Sequence, residues 1–152
     1  MDALDRKILA QLQRDASLTN AQLSEKVALS PSSCLRRVKR LKADGMIDTV
    51  VALCNPAALG RGLTAIVEVY LVHDAIAKCR EFMANVMRED AVGQAYTVTG
   101  EVDIVLVMTL KDMDEYVALC ERLLDANENV RKFRTLIAMD RYKFETAIPV
   151  DE

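Results

Sequence analysis

The hydrophobic period of this chain changes once, at the stretch NPAALGRG (residues 55–62), and that change dictates two folding units. Before it, apolar residues recur every three or four positions, the spacing of helices with one buried face. After it, β-branched runs alternate with further helical stretches. Pro56, Gly60 and Gly62 stand at the switch, and such residues punctuate regular structure. The sequence therefore reads as a first domain at 1–54, a hinge at 55–62 and a second domain at 63–152. A chain of 152 residues with 51% hydrophobic content can supply two small cores.

The first domain reads as three helices. Asp2 caps a helix whose apolar residues are Leu4, Ile8, Leu9 and Leu12, with Asp15 and Ser17 marking its end. TNAQ is a capping box, Thr19 at the N-cap and Gln22 three residues on, which opens a short helix with Leu23 and Val27 inward. The third helix starts at Ser30, carries Pro31 where a missing N–H costs nothing, and stops at Gly45. On a wheel, Cys34, Leu35, Val38 and Leu41 share one arc, opposite Ser32, Ser33, Arg36, Lys39 and Arg40, with Arg37 at the margin. After Gly45, MIDTVVALCNP has a period-2 pattern suited to a two-stranded wing.

Charge supports the division. Residues 1–60 hold nine Lys/Arg against six Asp/Glu, and residues 61–152 hold eleven against seventeen. Within a chain of net charge −3, five basic side chains fall between Arg36 and Lys42. Alone, such a run reads first as a solvated helix face. On the outer side of a helix-turn-helix it becomes a recognition helix, where Arg pairs with guanine edges and Lys with phosphates. The expected base-facing residues are Ser32, Ser33, Arg36 and Arg40, with Arg37 and Lys39 nearer the phosphates. Thr19, Asn20 and Ser30 complete the expected DNA-binding set. Paired recognition helices imply an imperfect palindrome in double-stranded DNA.

The second domain reads β-α-β-β-α-β, the ferredoxin-like order, so the fold class is α+β. Its segments are LTAIVEVYLV, a helix capped by Asp74 with Ile76, Cys79, Met83, Val86 and Met87 inward, and the hairpin VGQAYTVTG/VDIVLVMTL turning at Gly100 and Glu101. A helix capped by Asp112 follows, with Met113, Tyr116, Val117, Cys120, Leu123 and Leu124 inward, then VRKFRTLIAM, with YKFETAIPV a further edge. That fold leaves one sheet face bare, yet Ile66, Tyr70, Val72, Val105 and Val107 make it apolar. Strands apolar on both sides are covered on both sides, so a second subunit is expected there.

A winged helix-turn-helix, a Gly/Pro hinge and a ferredoxin-like domain together resemble the Lrp/AsnC family of transcriptional regulators. The resemblance spans roughly residues 2–150 through LDRKILAQLQRDA, LSPSSCLRRVKRL, GMI, ALCNP, TGEVD and DMDEY. It implies an amino-acid-responsive DNA-binding protein whose homodimers assemble into octamers or similar rings. It also implies an effector site at the loop TVTGEVD: Tyr96, Thr97, Val98 and Thr99, with Gly100, Glu101 and Asp103, and with Leu136, Ile137 and Ala138. Gly100 would expose N–H groups to a carboxylate, and Asp103 would accept an ammonium. The chain departs from the family at Ala28, where Gly is usual, at Arg36, where an acid is frequent, and at Ser33, where Pro is common. Val102 stands where the family's loop carries an aromatic residue.

Other classes are disfavoured. No phosphate-cradling glycine motif occurs, and His73 is the single histidine, so neither a catalytic nor a zinc cluster is expected, nor any other cofactor. Cys34, Cys54, Cys79 and Cys120 lack C-x-x-C spacing and read as small hydrophobes of a cytoplasmic protein. No apolar run is long enough for a membrane span or follows a basic start, so no span or leader is expected. The competing reading is a nucleoid-architectural protein that binds DNA without an effector.

Overall fold

A computed structural model describes residues 1–72 and 76–150, the side chain of Ile76 excepted. The expected cap Asp74 and the lone His73 lie outside the described residues. The fold divides into two compact units, Met1–Leu53 together with the chain from Tyr142 onward, and Cys54–Arg141.

In the first unit, α1 (Ala3–Arg14), α2 (Asn20–Lys26) and α3 (Pro31–Ala43) enclose Ile8, Leu23, Val27, Cys34 and Leu41. Each helix starts on the residue its sequence marks. The Thr19 side chain accepts from the Gln22 N–H while Gln22 reaches back to the Thr19 N–H, and the Ser30 hydroxyl accepts from the Ser33 N–H. The arc of α3 is narrower than the wheel suggests, because Leu35 is 44% exposed.

Both α2 and α3 end in the same hydrogen-bond pattern. After α3, Gly45 takes φ 70° while its N–H bonds Lys42 O and the Met46 N–H bonds Leu41 O. After α2, the Ala28 N–H bonds Glu25 O and the Leu29 N–H bonds Ser24 O, with Ala28 at φ 56°. This C-terminal motif needs a left-handed residue, which glycine adopts freely and alanine does not.

Two sequence expectations change here. Residues 46–54 form no paired strand among the described residues, and Met46, Val50, Val51 and Leu53 are exposed. Period-2 hydrophobicity does not by itself specify a turn, and IDTVVALC holds no glycine, proline or Asn-Gly pair to favour one. The stretch YKFETAIPV is likewise no edge strand, and it leaves the second domain to join the first unit. A side-chain clasp holds it there: Gln13 Nε2 donates to Ile148 O at 3.0 Å, and the Ile148 N–H donates to Gln13 Oε1 at 2.6 Å.

The second unit is the expected βαββαβ fold: β1 (Leu63–Leu71), α4 (Ile76–Val86), β2 (Val92–Thr97), β3 (Ile104–Leu110), α5 (Met113–Cys120) and β4 (Val130–Ile137). The antiparallel sheet has the order β2-β3-β1-β4. Alternation is strict in the central strands. Ala65, Val67 and Val69 of β1, and Ile104, Leu106, Met108 and Leu110 of β3, are fully buried. Ile66, Val105 and Val107 lie half-buried on the other face, beside the Glu68–Arg134 ion pair.

The helix stripes shift from the sequence reading. Phe82 is buried in α4, whereas Met87, just past the helix end at Val86, is 83% exposed. In α5, Leu119 turns inward and Met113 and Val117 stay exposed. Beyond Cys120 the helix widens into a π-helical turn, Glu121–Asp125, where the Ala126 N–H reaches Glu121 O. That turn directs Leu123 and Leu124 into the core. Arg61, assigned to the hinge by sequence, is fastened to this unit by Nε to Thr109 O at 3.1 Å and by an ion pair to Glu115 at 2.6 Å. No helix among the described residues is long and apolar enough to cross a membrane.

Replacing Ala28 by Gly should raise stability by about 0.5–1 kcal/mol, because relief of the left-handed strain exceeds the entropy that glycine adds to the unfolded chain. The midpoint of urea unfolding measures this. An unchanged or lower midpoint would show that the strain at Ala28 does not exceed that entropy.

Candidate functional sites

The structure sorts the nine DNA-facing candidates by what already occupies them. Ser32, Arg36 and Lys39 are exposed on α3, and neither Arg36 nor Lys39 has a hydrogen bond or ion pair among the described residues. Ser33 is half-buried. Thr19 and Ser30 spend their hydroxyls on helix caps. Asn20 Nδ2 donates to Pro31 O at 2.8 Å, which ties the start of α2 to the start of α3.

Arg37 is drawn towards α1, and Arg40, whose side chain stays 52% exposed, gives one arm to it. Arg37 Nη1 lies 2.7 Å from Asp2 Oδ2 and 2.8 Å from Asp5 Oδ1, and Arg40 Nη2 lies 2.6 Å from Asp5 Oδ2. The Arg37 Nε is buried without a partner. Asp5 is fully buried, and it also accepts the Asp2 N–H while the Asp2 side chain accepts the Asp5 N–H. Thus the capping box that starts α1 also grips α3. Sequence reasoning assigned Asp2 a cap and gave Asp5 no role. The signal was present as two acids three residues apart at a helix start, but their partners lie more than thirty positions away.

Electrostatics follow this geometry. The Arg37 guanidinium, and then the Asp5 N–H, hold the Asp2 carboxyl at about 2 against an ordinary 3.8. Burial pushes the Asp5 carboxyl up, but the Asp2 N–H and the Arg37 and Arg40 guanidiniums outweigh it and leave it below its ordinary value. Both acids are therefore ionised at neutral pH, and Arg37 is held the more firmly protonated by Asp2 and Asp5.

The effector candidates fall into two separated groups. Tyr96 and Thr97 end β2, Val98 to Glu101 form the exposed turn, and Gly100 takes φ 119°, a conformation that favours glycine. Leu136 and Ile137 lie on β4, the opposite edge, and the Ala138 N–H bonds Thr64 O. Two strands intervene, so about 14 Å of sheet separates the groups. They are also displaced along the strands, since Ile137 pairs with Ala65 whereas the Asp103 N–H bonds Val69 O. Asp103 is already engaged: its Oδ2 accepts the Leu71 N–H at 2.8 Å. Two open grooves of about 350 and 510 Å³ lie along α4 and α5, lined by Arg88, Glu89 and Arg122 among others, and include none of the candidates.

Comparison with known proteins matches both units. Residues 1–48 fit a winged helix-turn-helix DNA-binding family model, and residues 64–148 fit the Lrp/AsnC ligand binding domain. The chain is 38% identical over 143 residues to the leucine-responsive regulatory protein of Haemophilus influenzae, covering 94% of this chain and 86% of that one. It is 36% identical over 151 residues to an uncharacterized HTH-type transcriptional regulator of Sinorhizobium fredii, covering 99% and 89%. Among solved structures, an AsnC family regulator from Agrobacterium tumefaciens aligns with TM-score 0.93 at 34% identity, covering 98% and 97%. A transcriptional regulator from Neisseria meningitidis, solved as a complex with L-Met, aligns with TM-score 0.93 at 34% identity, covering 98% and 96%.

The depressed Asp2 carboxyl fixes a pH dependence. A group whose folded pKa lies below its unfolded value stabilises the fold above the unfolded value, and that stability is lost as pH falls through the folded one. Asp2→Asn should therefore unfold at a lower temperature than wild type at neutral pH, with the gap closing as pH falls from about 4 to about 2. Circular dichroism melts of both proteins across that range decide it; a gap that persists unchanged at the acid end would sink the assignment.

Proposed function

The chain belongs to the Lrp/AsnC family of transcriptional regulators, and we propose that it is a sequence-specific DNA-binding regulator whose DNA binding or assembly responds to an amino acid. One observation carries the DNA half of this reading: Arg36 and Lys39 stand exposed on α3, without partners among the described residues, beside the exposed Ser32. Arg36 and Ser32 face base edges, with the outer part of Arg40 alongside them. Lys39 contacts the backbone, and Thr19, Asn20, Ser30, Ser33 and Arg37 shape and seat the helix between them.

The effector half rests on the separation of the candidate groups. A single chain cannot close Tyr96–Asp103 and Leu136–Ala138 around one small molecule, so the pocket is completed by another copy. The half-buried apolar Ile66, Val105 and Val107 on the bare sheet face supply a reason to pair. Homodimers assembling into an octamer or similar ring, acting in the cytoplasm on an imperfect palindrome, fit this arrangement. A similar regulator solved as a complex with L-Met supports an amino acid as the effector.

On a duplex selected from a random pool by the wild-type protein, Arg36→Ala should cost about 1–3 kcal/mol, whereas Lys39→Ala should weaken all sequences alike and reduce the salt slope by about 1. If neither change affects binding, α3 is not the reading helix.

A screen of the twenty amino acids, L-Met included, should find one that shifts DNA affinity or oligomer size by about 1–3 kcal/mol. Asp103→Asn keeps an oxygen for the Leu71 N–H but removes the charge, and should abolish that response. An undiminished response in the variant excludes Asp103 as the ammonium partner, and no response from any amino acid in the wild type favours the architectural reading.

A further inference from the structure

We propose that Asp5 determines DNA specificity by withholding basic charge from the duplex: it pins Arg37 and one arm of Arg40 against α1, with Asp2 as its second jaw. This rests on the DNA-binding reading above. Of the five basic residues in α3, Arg36, Lys39 and Lys42 are exposed with no ion pair among the described residues, and the other two converge on one carboxylate.

The two arginines are held differently. Arg37 keeps only 20% of its side chain exposed and gives Nη1 to both acids, so it serves as an anchor. Arg40 gives only Nη2 and keeps 52% exposed. Its free edge still points to solvent, but its rotation is restricted.

A restricted guanidinium suits directional pairing with a base, because less freedom is lost on binding. It suits the backbone poorly, because general phosphate attraction grows with the number of cations free to reach phosphates. Asp5 and Asp2 thus lower affinity for all DNA more than affinity for the right site. A purely structural role for the acids, joining α1 to α3, predicts a change in stability alone.

The test uses the full chain, a duplex selected from a random pool by wild type, and a shuffled duplex of the same composition. Fluorescence anisotropy is read across a potassium chloride series. Asp5→Asn should bind the shuffled duplex more tightly and steepen the salt slope by about 0.9 for each additional phosphate contact. The preference for the selected duplex should fall by about tenfold, the worth of one bidentate contact.

Asp2→Asn retains an N-cap residue of equal quality and loosens only Arg37, so it should show the same changes at smaller size. If Asp5→Asn does not fold, Asp2→Asn decides the matter alone. Folded variants with the wild-type slope and preference overturn the proposal and leave the DNA-binding reading standing. A wild-type protein that enriches no duplex removes both.

Discussion

A carboxylate sealed from water must be met by donors on nearly every lone pair, and in the first unit that requirement falls on Asp5. Its oxygens take the Asp2 N–H, Arg37 and Arg40, which are drawn from the two helices that frame the unit. The direction of α1, the seating of α3 and the distribution of positive charge on its outer face are thus consequences of one desolvated group. A hydrophobic core alone could not impose this, because apolar contacts set distance without setting which cation faces outward.

Most of the fold was legible because its signals are local. Caps at Asp2, Thr19, Ser30 and Asp112 and the stop at Gly45 each depend on neighbours within a turn. The alternation in β1 and β3 is equally local, and the structure buries the side chains that alternation selects. Helix stripes were less legible. Phe82 and Leu119 fit the helical period, three residues after Cys79 and Tyr116, whereas the end of α4 at Val86 and the widened turn after Cys120 are not encoded by it.

The candidate sites were legible as segments and less so as side chains. The wheel gives the angle of Arg40 around one helix but not the carboxylate on another that holds one of its arms. Asp103 looked like a free acid at a turn, yet it satisfies the Leu71 N–H where β1 ends. In both cases the deciding partner lies 32 to 35 residues away in sequence. The separation of Tyr96 from Leu136 is of the same kind. Strand order, set by long-range pairing, puts the two on opposite rims of the sheet.

The clasp between Gln13 and Ile148 joins positions 135 residues apart, with the whole second unit in between. The first unit is therefore discontinuous along the chain, and synthesis runs in one direction. At about 5–20 residues per second, Ile148 is made about 7–27 s after Gln13. Three helices can pack around Ile8 and Leu41 in that interval, while α1 waits with its glutamine amide solvated. On the ribosome, the first of these two units to be started is the second to be completed.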